Sequence, residues 1–143
     1  MRLRNLAGRN GVEAAVDLAL LVYVELALGA LDVRLPELAD RCRVPLDRTG
    51  IEPLEPAQLP PWAERRRQVA EAVFSRVPWE VTCLRRSLVV GSRLARLQPR
   101  LSIGARALPG GLEAHAWVTV ASGWVTYPGE GFGPLRSRPE LSR

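Results

Sequence analysis

Lysine is absent from this chain, and all twenty of its basic residues are arginine. Codon bias in a GC-rich genome is the plainest account, and a solubility or partner-binding surface is the alternative. Histidine occurs once, at His115, and cysteine twice, at Cys42 and Cys83. One imidazole and two separated thiols are too few spaced ligands for a metal site. A glycine-rich phosphate motif is also missing, since Gly110-Gly111 reads as a plain turn. No cofactor is therefore expected. The net charge of +5 could attract an acidic peptide, a nucleic acid or a membrane. No recurrent basic–aromatic interleaving and no recognised motif supports nucleic-acid binding. The start is basic (Arg2, Arg4, Arg9), but Glu13, Asp17 and Glu25 interrupt the apolar stretch that follows. That pattern does not suit a secretory signal. The expectation is a reducing cytoplasm with two free thiols.

The chain of 143 residues, 47% of them hydrophobic, is long enough to bury one core without disulfide staples. Twelve prolines and twelve glycines point to many turns and one stiff connector. The expected organisation is an N-terminal helical segment over 1–44, a proline-rich connector over 45–60 and a catalytic domain over 61–143. The three are expected to form one compact unit.

Residues 12–31 resemble a membrane span in composition, but ionised acids within hydrocarbon are costly. Glu13, Asp17 and Glu25 share one stripe of a helix. The stretch is read as a largely buried helix with that stripe as its single wet edge. A membrane-surface or partner-docking helix is the other reading. Residues 36–44 suit a short helix with Leu35, Leu38 and Cys42 on its apolar face, which makes Cys42 a small core residue. Helix from Pro61 to Val77 would bury Trp62, Val69, Val73 and Phe74, leave Arg65–Arg67 in water and end before Pro78. The next helix opens at Thr82 or Cys83 and runs to about Leu97, with Arg85, Arg93 and Arg96 outward. Alternation over 100–107, 112–120 and 124–127 predicts an antiparallel meander, with turns at 109–111 and 121–123. The fold class is α+β, with N-terminal helices and a cysteine-bearing helix packed on a small antiparallel sheet.

A thiol attacks carbonyl carbon as its thiolate, and the unpaired N–H groups of a helix N-terminus favour negative charge. Cys83 is expected at such a place, where its own N–H could serve an oxyanion hole. His115, on a strand with Glu113, Trp117 and Thr119 on its face, would be the general base. A chance meeting of a lone cysteine and a lone histidine is the bland alternative. Trp79 and Trp117 could wall a cleft or simply pack. Ser87 is expected to bond its own helix backbone, and Glu113 to be solvated.

The surrounding residues add a resemblance. Pro78-Trp-Glu-Val-Thr-Cys83-Leu-Arg-Arg-Ser-Leu88 precedes a strand Arg100-Leu-Ser-Ile-Gly-Ala-Arg106 and then Glu113-Ala-His-Ala-Trp-Val118. Cys-Leu-x-Arg-Ser-Leu and His-Ala-Trp-Val, in this order and spacing, resemble the transglutaminase-like leader peptidases of lasso-peptide biosynthesis, the microcin-processing proteases. The resemblance covers roughly residues 60–128. It implies a transglutaminase-like core and a papain-like arrangement in which Cys83 attacks a backbone carbonyl of a ribosomally made precursor peptide and His115 moves the protons. It also implies a separate leader-recognition protein that presents the leader, and a lasso cyclase that takes the freed core peptide.

The sequence departs from the family at one point. The family places an Asp about a dozen residues after the histidine, to hold the imidazole. Counted without a gap that position is Tyr127, and with one extra turn residue it is Pro128. Three options stay open: Glu130 orients His115 after a local bulge, the Tyr127 hydroxyl does so, or no third group exists. The rival functions are transfer of the acyl group to an amine instead of water, and a non-catalytic scaffold that holds the precursor.

Overall fold

The computed structural model describes residues 9–49, 55–129 and 133–134. Its first helix, α1 (Arg9–Leu28), is the apolar stretch near the start of the chain. A short α2 (Leu35–Arg41) follows, opened by Pro36 in its first turn, where the missing N–H costs nothing. Leu38 and Cys42 are buried, as their spacing predicts. Helix α3 (Pro61–Arg76) begins at its own proline and stops two residues short of Pro78. Helix α4 (Cys83–Arg93) opens on Cys83, and a 3₁₀ turn (Ala95–Leu97) completes the helical run expected to Leu97.

The sheet has four strands in the order β3-β2-β1-β4. Strands β1 (Arg100–Leu108) and β2 (Gly111–Val120) form a hairpin in register from Arg100↔Thr119 to Leu108↔Gly111. Strand β4 (Gly133–Pro134) pairs with β1 at Gly104 and Ala105. Strand β3 is only Gly123–Trp124, with Val120 opposite Gly123 and Thr119 opposite Trp124. Val120 was expected opposite Trp124 across a three-residue loop. The turn is instead Ala121-Ser122, one residue tighter, so every later partner moves by one.

Both ends of the proline-rich segment join the sheet rather than merely crossing the surface. The Leu101 N–H donates to the Pro45 carbonyl and the Asp47 N–H to the Leu101 carbonyl, at 2.9 and 2.7 Å. On the opposite edge the Trp124 N–H donates to Glu55 at 3.0 Å, and the Ala57 N–H donates back to Trp124 at 2.8 Å. Two exposed strand edges are thereby covered. Gly123 permits the second crossing. Its φ is +153°, and a Cβ there would lie 2.2 Å from the Glu55 carbonyl oxygen.

Helix α1 packs on α3 and α4, and α4 packs on β2. Leu21, Val24, Leu88, Val89, Leu94, Leu101 and Val118 close the core between helices and sheet. The acidic stripe of α1 is turned the opposite way from the expected wet edge. Asp17 is fully buried, 3.0 Å from Arg93 Nε. Glu13 contacts Arg93 and lies 3.7 Å from Arg66, and Glu25 pairs with Arg85 at 2.5 Å. Arg93 and Arg85 therefore face α1 rather than open water. The face that meets solvent carries Val12, Val16, Leu18, Val22 and Leu26. The long-range cause is charge: three acids on α1 face three arginines on α3 and α4. No helix among the described residues is long and apolar enough to cross a membrane.

Candidate active site

Strand β3 is short because α4 occupies the place where it would continue. The Val118 carbonyl accepts from the Val125 N–H at 2.8 Å, so Val118 points its polar groups away from β1. Ala116, two residues along, directs its own the same way. No strand meets it there. Its N–H donates to Cys83 Sγ at 3.4 Å, and its carbonyl accepts from Ser87 Oγ at 3.2 Å. Cys83 and Ser87 are one helical turn apart on α4, so successive side chains satisfy one backbone edge. The Val118 N–H donates to Thr126 Oγ1 at 2.8 Å, and Thr126 lies 3.4 Å from Ser87 Oγ. Ser87 has a single proton, already given to Ala116, so Thr126 donates in that contact. The serine expected to bond its own helix instead fastens the helix to the sheet.

Cys83 is the first residue of α4 and is partly exposed. Thr82 precedes it in extended conformation, φ −69° and ψ 162°, and makes no side-chain cap. Its hydroxyl accepts from Arg85 at 3.0 Å instead. The N–H groups of the first turn are thus not taken up by a capping side chain. Cys42 is buried, and desolvation pushes its thiol above the ordinary range.

His115 precedes Ala116 on β2, so the imidazole is borne by the strand that the sulfur touches. Ala116, Val118 and Val120 alternate into the helical core and His115 and Trp117 leave from the other face, while the Ala116 N–H that meets Cys83 Sγ lies in the sheet plane, at the open strand edge between the two faces. The His115 and Trp117 rings stack with centroids 5.9 Å apart at 23°. Trp117 is therefore a packed wall of the imidazole, while Trp79 is 39% exposed. His115 Nε2 lies 2.8 Å from the main-chain oxygen of Tyr127. A carbonyl oxygen only accepts, so Nε2 carries the proton and Nδ1 of the neutral ring keeps the lone pair.

Tyr127, twelve residues after His115, reaches the ring with its main chain. Its hydroxyl is not the atom in contact: the side chain is exposed and lies edge-on to Trp124, with centroids 5.4 Å apart. Glu130 lies outside the described residues. Glu113, expected in water, pairs with Arg106 directly across the hairpin. Ser87, Thr126 and the Ala116 backbone were missed as site-builders. A polar Ser87 on the apolar stripe of α4 was the one available signal. Main-chain donors and acceptors carry none.

A cleft of about 680 Å³ opens at the far end of α4 between Arg43, Gln98 and Arg100. Neither Cys83 nor His115 lines it. The chemically equipped end is the one at Cys83. Among the described residues no group of His, Cys, Asp and Glu could hold a metal ion.

A helix-borne thiol against a strand that carries the imidazole, in an α+β domain, defines the class of this protein. The family model of the transglutaminase-like superfamily matches residues 20–137, and the chain belongs to that superfamily. The superfamily includes cysteine peptidases and acyltransferases. No curated protein and no solved structure matches the chain.

Proposed function

We propose that the chain is a cysteine peptidase that removes the leader from a ribosomally made, lasso-type precursor peptide, with Cys83 as nucleophile and His115 as base. The observation that carries this reading is the contact of Cys83 Sγ with the Ala116 N–H, beside His115 whose Nε2 is held by Tyr127. Nδ1 takes the thiol proton as sulfur attacks the scissile carbonyl carbon. First-turn N–H groups of α4 receive the charge that develops on the carbonyl oxygen. The imidazolium then returns the proton to the leaving amine, the C–N bond breaks and a thioester remains. Water, deprotonated by His115, cleaves the thioester to a carboxylate and restores the thiol. The products are a leader ending in a carboxylate and a core peptide with a free amine. The partners in this reading are the precursor's leader, a separate leader-recognition protein and a lasso cyclase, and its compartment is the cytoplasm.

The test is the chain with its precursor and leader-recognition protein, read by mass spectrometry. Cleaved leader is expected from the native chain, with none from Cys83→Ala. For His115→Ala a loss of about 10²–10⁴-fold in rate is expected. Maturation that persists in Cys83→Ala identifies a scaffold. An amide-linked product identifies acyl transfer to an amine, which would pass through the same thioester.

A further inference from the structure

Strand β2 loses its cover at the tip of α4. The polar main-chain groups of Val118 meet Val125 and Thr126, and those of Ala116 meet Cys83 and Ser87. The alternation continues to Ala114 and Leu112, whose N–H and carbonyl groups leave by the same edge, away from β1. Strand β3 pairs only with Thr119 and Val120, and among the described residues nothing meets Ala114 or Leu112 at that edge.

The sheet face is bare over the same stretch. Ala116, Ala114 and Leu112 share the side that packs against the helices. Ala116 is 5% exposed, whereas Ala114 is exposed and Leu112 is 78% exposed, because α4 begins at Cys83 and covers β2 only from Ala116 onward. Ala105 and Ala107 stand opposite Ala114 and Leu112 on β1 and face the same way. The four form an uncharged floor that ends at the thiol.

We infer that the peptide substrate binds here as an added strand, its backbone pairing with Ala114 and Leu112 on the open edge of β2 and every second side chain lying over the floor. The inference rests on the peptidase reading of Cys83 and deepens it.

Position is the first argument. Cys83 Sγ takes the Ala116 N–H at 3.4 Å, where the carbonyl of a ladder partner would otherwise sit. Ala114 lies two residues back along the strand, about 7 Å away. An extended peptide advances about 3.3–3.6 Å per residue. A residue paired with Ala114 is therefore within about two residues of a carbonyl at the sulfur.

Chemistry is the second argument. Main-chain donors and acceptors repeating along an edge match another extended backbone, which gains affinity from the ladder and specificity from alternate side chains. A bare edge invites unwanted pairing, and folded chains cover such edges. This chain does so elsewhere: Pro45 and Asp47 meet Leu101, Glu55 and Ala57 meet Trp124, and β4 meets Gly104 and Ala105. The edge at Ala114 stays open beside the nucleophile, and alanine side chains on the floor let a neighbouring strand come close.

The probe is acetyl-tetraalanine vinyl sulfone, with one backbone amide N-methylated at a time, so that only the backbone differs within the series. The rate of adduct formation at Cys83 is followed by mass spectrometry. N-methylation is expected to slow the native chain at least about tenfold at alternate residues and about twofold or less at those between. Ala114→Pro removes one donor of the edge, at a position where an edge strand tolerates proline. In that variant the ratio of the parent-probe rate to the iodoacetamide rate is expected to fall about tenfold. If melting shows that Ala114→Pro does not fold, the N-methyl series on the native chain decides alone. A flat series overturns the added strand and leaves the peptidase reading standing. An unchanged ratio in a folded Ala114→Pro also overturns it. A flat series together with a native dimer that Ala114→Pro dissociates overturns it too, and marks the edge as an interface between copies. If Cys83 reacts with no peptide probe and takes iodoacetamide no faster than a free thiol, the peptidase reading fails and the added strand falls with it.

Discussion

The Tyr127 carbonyl is the residue-scale feature that most changes how this site should behave. A neutral acceptor orients the ring and fixes its tautomer, but offsets the positive charge of an imidazolium less than a carboxylate would. Because the contact is through the main chain, Tyr127→Phe should leave Cys83 alkylation within about twofold of native, in line with ordinary surface substitutions. A tenfold loss in a timed iodoacetamide assay would restore the hydroxyl to the argument. The two thiols should also separate in that assay. Cys83 is partly open at a helix tip, while Cys42 is 3% exposed with its thiol pushed upward by desolvation. Labelling of the native chain should therefore stop at one adduct, and Cys83→Ala should give none until the protein is unfolded.

At the scale of elements, α4 is held on both flanks. Cys83 and Ser87 fix it to β2, and Gly91 lets it approach Val44. A Cβ on Gly91 would lie 2.5 and 2.7 Å from the two Val44 methyl carbons. Gly91→Ala gains helix propensity of about 1 kcal/mol, yet overpacking costs about 1–3 kcal/mol. A net loss of stability is expected in thermal or urea unfolding, with recovery in the double variant Gly91→Ala, Val44→Ala. A more stable Gly91→Ala would mean that Val44 moves aside freely. The seam also explains why the sheet narrows at its β3 side. Side chains of α4 and Thr126 replace ladder partners, which opens the strand edge where the thiol sits.

For the whole molecule, the knot of Glu13, Asp17, Arg66 and Arg93 ties α1, α3 and α4 together around a buried carboxyl. The oxygens of Asp17 receive no hydrogen bond among the described residues, and Arg93 is shared with Glu13. Burial pushes Asp17 from 3.8 up to about 7, tempered by the charge of Arg66. The sign follows from linkage. As pH falls through about 7 the folded state binds a proton that the unfolded state refuses until near 3.8. Asp17 therefore adds stability on acidification, fully present below about 4 and lost as pH rises through about 7. Urea midpoints should be higher at pH 5.5 than at pH 8, and Asp17→Asn should flatten that difference. A midpoint that climbs from pH 5.5 to 8 in the native chain, and not in Asp17→Asn, would reverse the assignment.

Much of this was local and so legible in the sequence. Pro61 and Pro78 bracket α3, Cys83 opens α4, and strict alternation with a Pro-Gly-Gly turn writes the β1–β2 hairpin. The order Cys, Arg-Ser-Leu, His-Ala-Trp-Val pointed to a transglutaminase-like domain. What depended on partners far along the chain was not legible. Periodicity gives a helix two faces but does not say which one meets water, and α1 is apolar on both. Its acids turned inward because Arg66, Arg85 and Arg93, more than forty residues on, were there to meet them. The one-residue tightening at Ala121-Ser122 and the main-chain contact of Tyr127 were likewise decided by tertiary packing, because backbone N–H and C=O groups are the same at every residue and only the fold assigns them partners.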